Sequence, residues 1–316
     1  MSIGCLMNTK PFQKDGRTIR FTKEALEGSC EDLNRNAHIP LGVDHDPSMM
    51  PVGRTDRAWI TKIEEEWHLF AEFTINTEAE KQFHQSSGTY IADLNVGGSS
   101  KGICSASSLK NKEGIRIDAD RTDFDEDNSW EEFSSVVKSR NCGLNVKEYG
   151  RNSLESVAGY LLISLGIWML VRFEKFSRHI VDETMRKVGD ELSDKWSKSI
   201  LEILSSFEKS SSKRMNTYHA LVTISGEIDL VFVLDRKKQD SSLKLDSFNF
   251  SQIASVVSCY SDIIENAQEI TLIQSSDGAW KFHHMKMKDG NIVGDWNNYE
   301  KSVKRWQELQ AKHGKE

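Results

Sequence analysis

The chain has 316 residues, 38% of them hydrophobic and 28% charged, with four prolines and a mean hydropathy of −0.52. That length accommodates two domains of ordinary size, and the composition excludes a low-complexity disordered chain. The net charge of −7 lies mostly before position 153, where 19 basic residues meet 25 acidic ones. This excludes a broad basic face for duplex nucleic acid but leaves room for a pocket taking a small nucleotide or a short oligonucleotide.

Residues 1 to 152 are rich in strand-like runs and turns. RTIRFT (17–22) alternates, and FTKEALEGSCEDLNR reads as a helix starting from a Thr22 cap. AWITKIEE (58–65) and EWHLFAEFTI (66–75) alternate with period two and form a strand pair around an acidic turn. TEAEKQFHQSS (77–87) reads as a helix, followed by the Gly/Ser-rich stretch LNVGGSSKGICSASS. The glycines and serines at 97–100 follow no phosphate-loop pattern and read as a plain loop.

From Ser156 to Val171 the run SVAGYLLISLGIWMLV carries no charge and ends at Arg172. Sixteen residues fall between a buried helix and a bilayer span, which wants roughly 20. Tyr160 and Trp168 near its ends resemble interfacial aromatics, and Gly159, Gly166 and Ser164 offer small residues for close helix contact. Beyond it Phe173, Phe176, Ile180, Val188, Leu192, Trp196, Ile200, Leu204 and Phe207 fall mostly three or four apart, so the spacing predicts a helix or two stacked helices over about 154–209. Such an apolar face predicts a homo-oligomer.

Residues 216 to 316 read β-β-α-β-β-α. Hairpins turn at Gly226, Asp277–Gly278 and Asp289–Gly290, and NYEKSVKRWQELQAKH closes the chain as a charged helix. His283 and His284 with His219 do not read as a metal site, because adjacent strand residues face opposite ways. Cys5, Cys30, Cys104, Cys142 and Cys259 are odd in number, far apart and without a CxxC pair. Neither a disulfide framework nor structural zinc is expected, and the thiols read as reduced. Met1–Thr9 is too short for a secretory signal, so the expectation is a chain without signal peptide, placed in the cytoplasm or at the inner membrane.

The stretch VDHDPSMMPVGR (43–54) sets His45 between two aspartates that alternate with it, so neither shares its strand face. The order FTKEAL, helix, IPLGVDHDPSMMPVGRT, strand, acidic turn, WHLFAEFTI resembles the prohead (capsid maturation) serine proteases of tailed phages, over about residues 15–120. The resemblance places His45 at the catalytic histidine. The nucleophile position falls on KGICSAS (101–107), where Cys104 stands for the serine and Ser105 is one place on. A one-residue slip reverses the face of a strand, so Ser105 does not simply replace a nucleophile at 104; a thiolate at Cys104 would still serve with a histidine base.

The fold expected is α+β. A protease-like β-rich domain spans 1–152 and an apolar and amphipathic helical segment with a transmembrane-like run spans 153–215. A small α+β domain spans 216–316. The function expected from this layout, which resembles membrane-acting effectors of bacterial antiviral defence, is an oligomeric, ligand-controlled pore or channel. Its retired protease-like domain would sense a small nucleotide, a short oligonucleotide or a regulatory protein. The alternatives are an active cytosolic prohead-type serine or cysteine protease and a soluble assembly protein. No cofactor is expected.

Overall fold

The computed structural model describes residues 2–14, 17–35, 39–43, 46–76, 78–95, 114–120, 123–124, 127–140, 143–147, 158–166, 197–211, 217–224, 228–237, 250–275 and 277–313. The architecture is mixed α+β with two main sheets.

The smaller sheet is four-stranded. Strand β1 (Ser2–Asn8) pairs with β6 (Glu66–Ile75), β6 with β5 (Gly53–Ile63), and β5 with β4 (Ile39–Leu41), all antiparallel. A separate two-stranded ribbon joins β2 (Phe12–Lys14) and β3 (Arg17–Ile19). Helix α1 (Lys23–Arg35) starts where the sequence places it, with the Thr22 hydroxyl accepting the Ala25 N–H at 3.2 Å. Its Leu26 packs with Ala58, Leu69 and Ala71 of the strands in a small core. The β5–β6 hairpin turns at Glu64, whose φ of 54° lies in the left-handed region.

The larger sheet has ten strands. In chain order these are β7 (Glu80–His84), β8 (Thr89–Leu94), β9 (Gly114–Asp120), β10 (Gly143–Lys147), β11 (Ala158–Gly166), β12 (Thr217–Ile224), β13 (Asp229–Lys237), β14 (Ala267–Gln274), β15 (Trp280–Met287) and β16 (Ile292–Asp295). In space they run β10-β9-β11-β12-β13-β14-β15-β16-β8-β7. The pairs β9–β10, β11–β12 and β13–β14 are parallel, and the connections within them carry α2 (Asp127–Ser139), α3 (Ser197–Ser210) and α4 (Phe250–Ser258). The other pairings are antiparallel.

Alternation decides the two faces. Ile117, Leu161, Ile163, Val222, Phe232, Leu272 and Met285 point to one side, where Phe133 of α2, Phe207 of α3 and Ile253 of α4 close the main core. On the other side Ala92, Leu94 and Ile292 meet Tyr299 of α5 (Trp296–His313) and Met50 from the β4–β5 connection. Asp295 caps α5 by accepting the Asn298 N–H at 3.1 Å. Strands of this sheet come from all three sequence segments, on both sides of positions 152 and 215.

Two expected helices are corrected. Residues 80–84 of the expected 77–87 helix form β7, because pairing Phe83 with Tyr90 and burying His84 outweighs the helix preference of its Glu, Ala, Lys and Gln. Residues 158–166 of the apolar run form β11, flanked by β9 and β12, with Leu161 and Ile163 at 0% exposure. A strand covered in this way reads as an unbroken apolar stretch, with no period to separate it from a helix. The later part of the expected 154–209 helix is present as α3, which buries Ile200, Leu204 and Phe207 at the predicted spacing. Among the described residues, no helix is long and apolar enough to cross a membrane.

Candidate functional site

His45 and Asp44 lie outside the described residues, as do Cys104, Ser105, Trp168 and Arg172. The residues on either side of Asp44 and His45, Val43 and those from Asp46 on, are described. The Asp46 N–H donates to the Val43 carbonyl at 3.0 Å, the Met49 N–H to the Asp46 carbonyl at 3.0 Å, and the Ser48 N–H to Asp46 Oδ1 at 2.7 Å. Val43, Met50 and Val52 are fully buried. The turn is therefore closed by its own backbone and seated by apolar residues at both ends.

What it is seated on went unread in the sequence. His283 of β15 has 0% exposure and its Nε2 lies 2.9 Å from the Ser48 carbonyl oxygen. A carbonyl only accepts, so His283 carries its proton on Nε2. Its Nδ1 lies 2.7 Å from Nδ1 of His284, so a neutral His283 accepts there and His284 donates. Burial holds the His283 imidazole below the ordinary histidine range, against the opposing pull of the Ser48 carbonyl and the Asp295 and Asp46 carboxylates. His284 is held well below that range, by burial first and then by His283 and Lys286. The pair is a neutral relay, His284 to His283 to Ser48.

Strand parity alone would have kept these rings apart. The β14–β15 register shifts between Thr271–His284 and Leu272–Phe282, leaving His283 as the extra residue of a bulge. A bulge re-aims side chains, and here it brings the two ring centroids to 4.9 Å. Beside them, Met50 Sδ stands 2.3 Å from where a Cβ on Gly294 would lie, so Met50 sits over the space that this glycine leaves open. Two residues along β15, Lys286 is 3% exposed and its Nζ has no hydrogen-bond partner among the described residues. Burial lowers its pKa, while Glu269, its register partner, is raised by burial and pulled back by Lys286.

A second polar cluster joins distant parts of the chain. His84 Nε2 lies 3.0 Å from both carboxylate oxygens of Asp262, and its Nδ1 is 3.0 Å from Ser87 Oγ. Ser87 Oγ continues to Thr89 Oγ1 at 2.8 Å, and that oxygen to the Tyr260 hydroxyl at 3.3 Å. The His84 ring stacks on Tyr260 at 5.2 Å. Both ring nitrogens of His84 are engaged, which makes it a pin between the β7–β8 turn and the segment after α4. A groove of about 390 Å³ also runs between α2 and α3, lined by Glu132, Val136, Arg140, Glu202 and Lys209, with Arg140 and Glu202 paired across it.

Gly159, Tyr160, Ser164 and Gly166 fall on β11, opposite Tyr218, His219, Thr223 and Gly114 in the registers of its two neighbours. On a strand, residues seven apart point to opposite faces, so Gly159 and Gly166 do not form the single stripe expected of them on a helix. His219 on β12 stands three strands from His283 and His284 on β15, and the registers set it about four residues further along the sheet, so it lies well beyond reach of a shared ligand. No family model, characterised protein or solved structure matches the chain.

Proposed function

We propose that this chain is a self-associating binding protein, in which the protease-like turn around His45 is a sensing element and not a hydrolytic one. The observation that carries the reading is the clamp of His283 on the Ser48 carbonyl, three residues from His45. A ligand that reorganises the turn has to disturb that bond and the seat of Met50 on Gly294, and so acts directly on the centre of β15 and β16. General-base catalysis needs an imidazole lone pair open to its nucleophile. His283 instead engages both ring nitrogens with fixed partners, the Ser48 carbonyl and the His284 ring.

A pore built from the apolar run would require β11 to leave both β9 and β12 and expose Leu161 and Ile163. Self-association with an intact sheet requires no such rupture. The test is fractionation of the expressed chain, light scattering on the purified protein, and peptide-cleavage assays on the parent, His45→Ala and Cys104→Ala. The expected result is an oligomer recovered without detergent, with no cleavage activity sensitive to either substitution. Recovery only in detergent, with leakage from loaded vesicles, would establish the pore. Cleavage lost in both variants at unchanged stability would establish the protease.

A further inference from the structure

The edge strand β7 closes one side of the ten-stranded sheet and pairs, among the described residues, with β8 alone. Its residues Glu80, Lys81, Gln82 and Phe83 are exposed, and only His84 is buried. Phe83 and its register partner Tyr90 are 55% and 52% exposed, packed edge to face at 5.2 Å. Lys81 shares their face, its ammonium 4.9 Å from the Tyr90 ring centre and 4.6 Å from that of Trp296. An edge strand is a template for another strand unless it is blunted, and lysine is a usual blunting residue. Here the lysine folds back onto aromatic rings of its own chain, Tyr90 of β8 and Trp296 of α5, and large apolar surface stays exposed beside the open edge.

We propose that β7 pairs antiparallel with β7 of a second copy of this chain, about a two-fold axis through Gln82. The inference rests on the self-association reading above and names its surface. A two-fold axis normal to the sheet keeps every side chain on its own face, so each residue must face one of its own parity and the axis must pass through a residue. Centring on Lys81 sets two lysines directly opposite, which is destabilising. Centring on Phe83 runs Lys81 past the end of the strand, against Gln85 in the turn. Centring on Gln82 uses all five residues, with Lys81 facing the aromatic ring at 83 of the second copy and Glu80 facing its residue 84. No like charges meet, and two lysine–aromatic contacts form across the axis.

The register makes the test specific. Light scattering over a range of concentrations is expected to show a dimer for the parent. Phe83→Lys places like charges opposite each other and is expected to weaken dimerisation by roughly tenfold or more. Phe83→Glu offers Lys81 a carboxylate in the same place, and its dimer is expected to persist. Gln82→Cys would bring two thiols into direct opposition at a Cα separation of about 4.5–5.5 Å, inside the range a disulfide spans. It is expected to give a covalent dimer on mild oxidation, where Lys81→Cys and the parent give none. All of these positions are exposed, and circular dichroism checks that each variant keeps the parent fold. A dimer indifferent to Phe83→Lys, or a Gln82→Cys chain that cross-links no more than the parent, would overturn the edge pairing and leave self-association standing. A parent that is monomeric at every concentration overturns both.

Discussion

At the scale of single residues, the histidine pair at 283 and 284 sets a dependence on pH. Both imidazoles are held below their ordinary range by burial, so between the unfolded value of about 6.5 and their folded values the unfolded chain binds more protons. Stability contributed by the neutral pair is thus fully present above about pH 6.5 and is lost as pH falls through that window. Urea midpoints measured at half-unit steps between pH 7.5 and 5 are expected to drop for the parent. A double change, His283→Phe with His284→Phe, should lower the unfolding free energy at pH 7.5 by about 1–3 kcal/mol through the unpaired Ser48 carbonyl, and its pH profile should be flatter. A parent profile as flat as that of the variant contradicts the neutral relay.

Two glycines separate backbone from side-chain crowding. A Cβ at Gly53 would stand 2.3 Å from the Thr74 carbonyl oxygen, a backbone atom in the paired strand, which does not give way. At Gly294 the nearest atoms are Sδ and Cε at the flexible end of Met50, with the His283 carbonyl oxygen at 3.1 Å. Gly53→Ala is therefore expected to destabilise more than Gly294→Ala, and Met50→Ala should partly rescue only the latter. Thermal melts of the three single variants and of the Met50→Ala/Gly294→Ala and Met50→Ala/Gly53→Ala double variants decide this. Rescue at Gly53, or none at Gly294, would break the assigned contacts.

At the scale of elements, legibility followed the strength of the local signal. The β5–β6 hairpin, the Thr22-capped helix and the turns at Asp277–Gly278 and Asp289–Gly290 were readable because a two-residue period, a threonine cap or a left-handed glycine marks each; Gly278 and Gly290 have φ of 84° and 87°. The segment 77–87 misled because its helix-forming residues are overruled by a partner strand and by Asp262, 178 positions beyond His84. Residues 158–166 of the apolar run misled because an apolar strand between two others carries no mark that separates it from a helix. Of the site, the stretch around His45 stood out in the sequence, while the bond from His283 to Ser48 did not, since a bulge in one register sets it. The strand assignment of β11 has a direct consequence. Leu161→Ala removes a fully buried side chain from the main core and is expected to cost about 2–5 kcal/mol in urea unfolding of the purified protein. A helix facing lipid would leave that measurement unchanged.

For the whole molecule, the decisive fact is that the ten-stranded sheet is assembled from pieces of chain far apart in sequence. The last hundred residues read as an independent β-β-α-β-β-α unit, yet β12 is paired along its outer side with β11 and β16 along its outer side with β8. Cutting the chain at 216 would open both of those edges. It would also remove Leu161 and Ile163 from the main core, and Ala92, Leu94 and Met50 from the core under α5. Two long open edges and a stripped apolar face favour edge-to-edge aggregation over a folded monomer. The fragment 216–316 is therefore expected to aggregate or to unfold without a cooperative transition. The fragment 78–316, which keeps every strand of the sheet and loses only the Met50 plug and the Ser48–His283 bond on this side, should unfold cooperatively at a somewhat lower midpoint than the full chain. Circular dichroism against urea for the two fragments and the full chain makes the comparison. If 216–316 alone unfolds sharply at the midpoint of the full chain, the pairings β11–β12 and β8–β16 contribute nothing to its stability, and the sheet is two structures side by side.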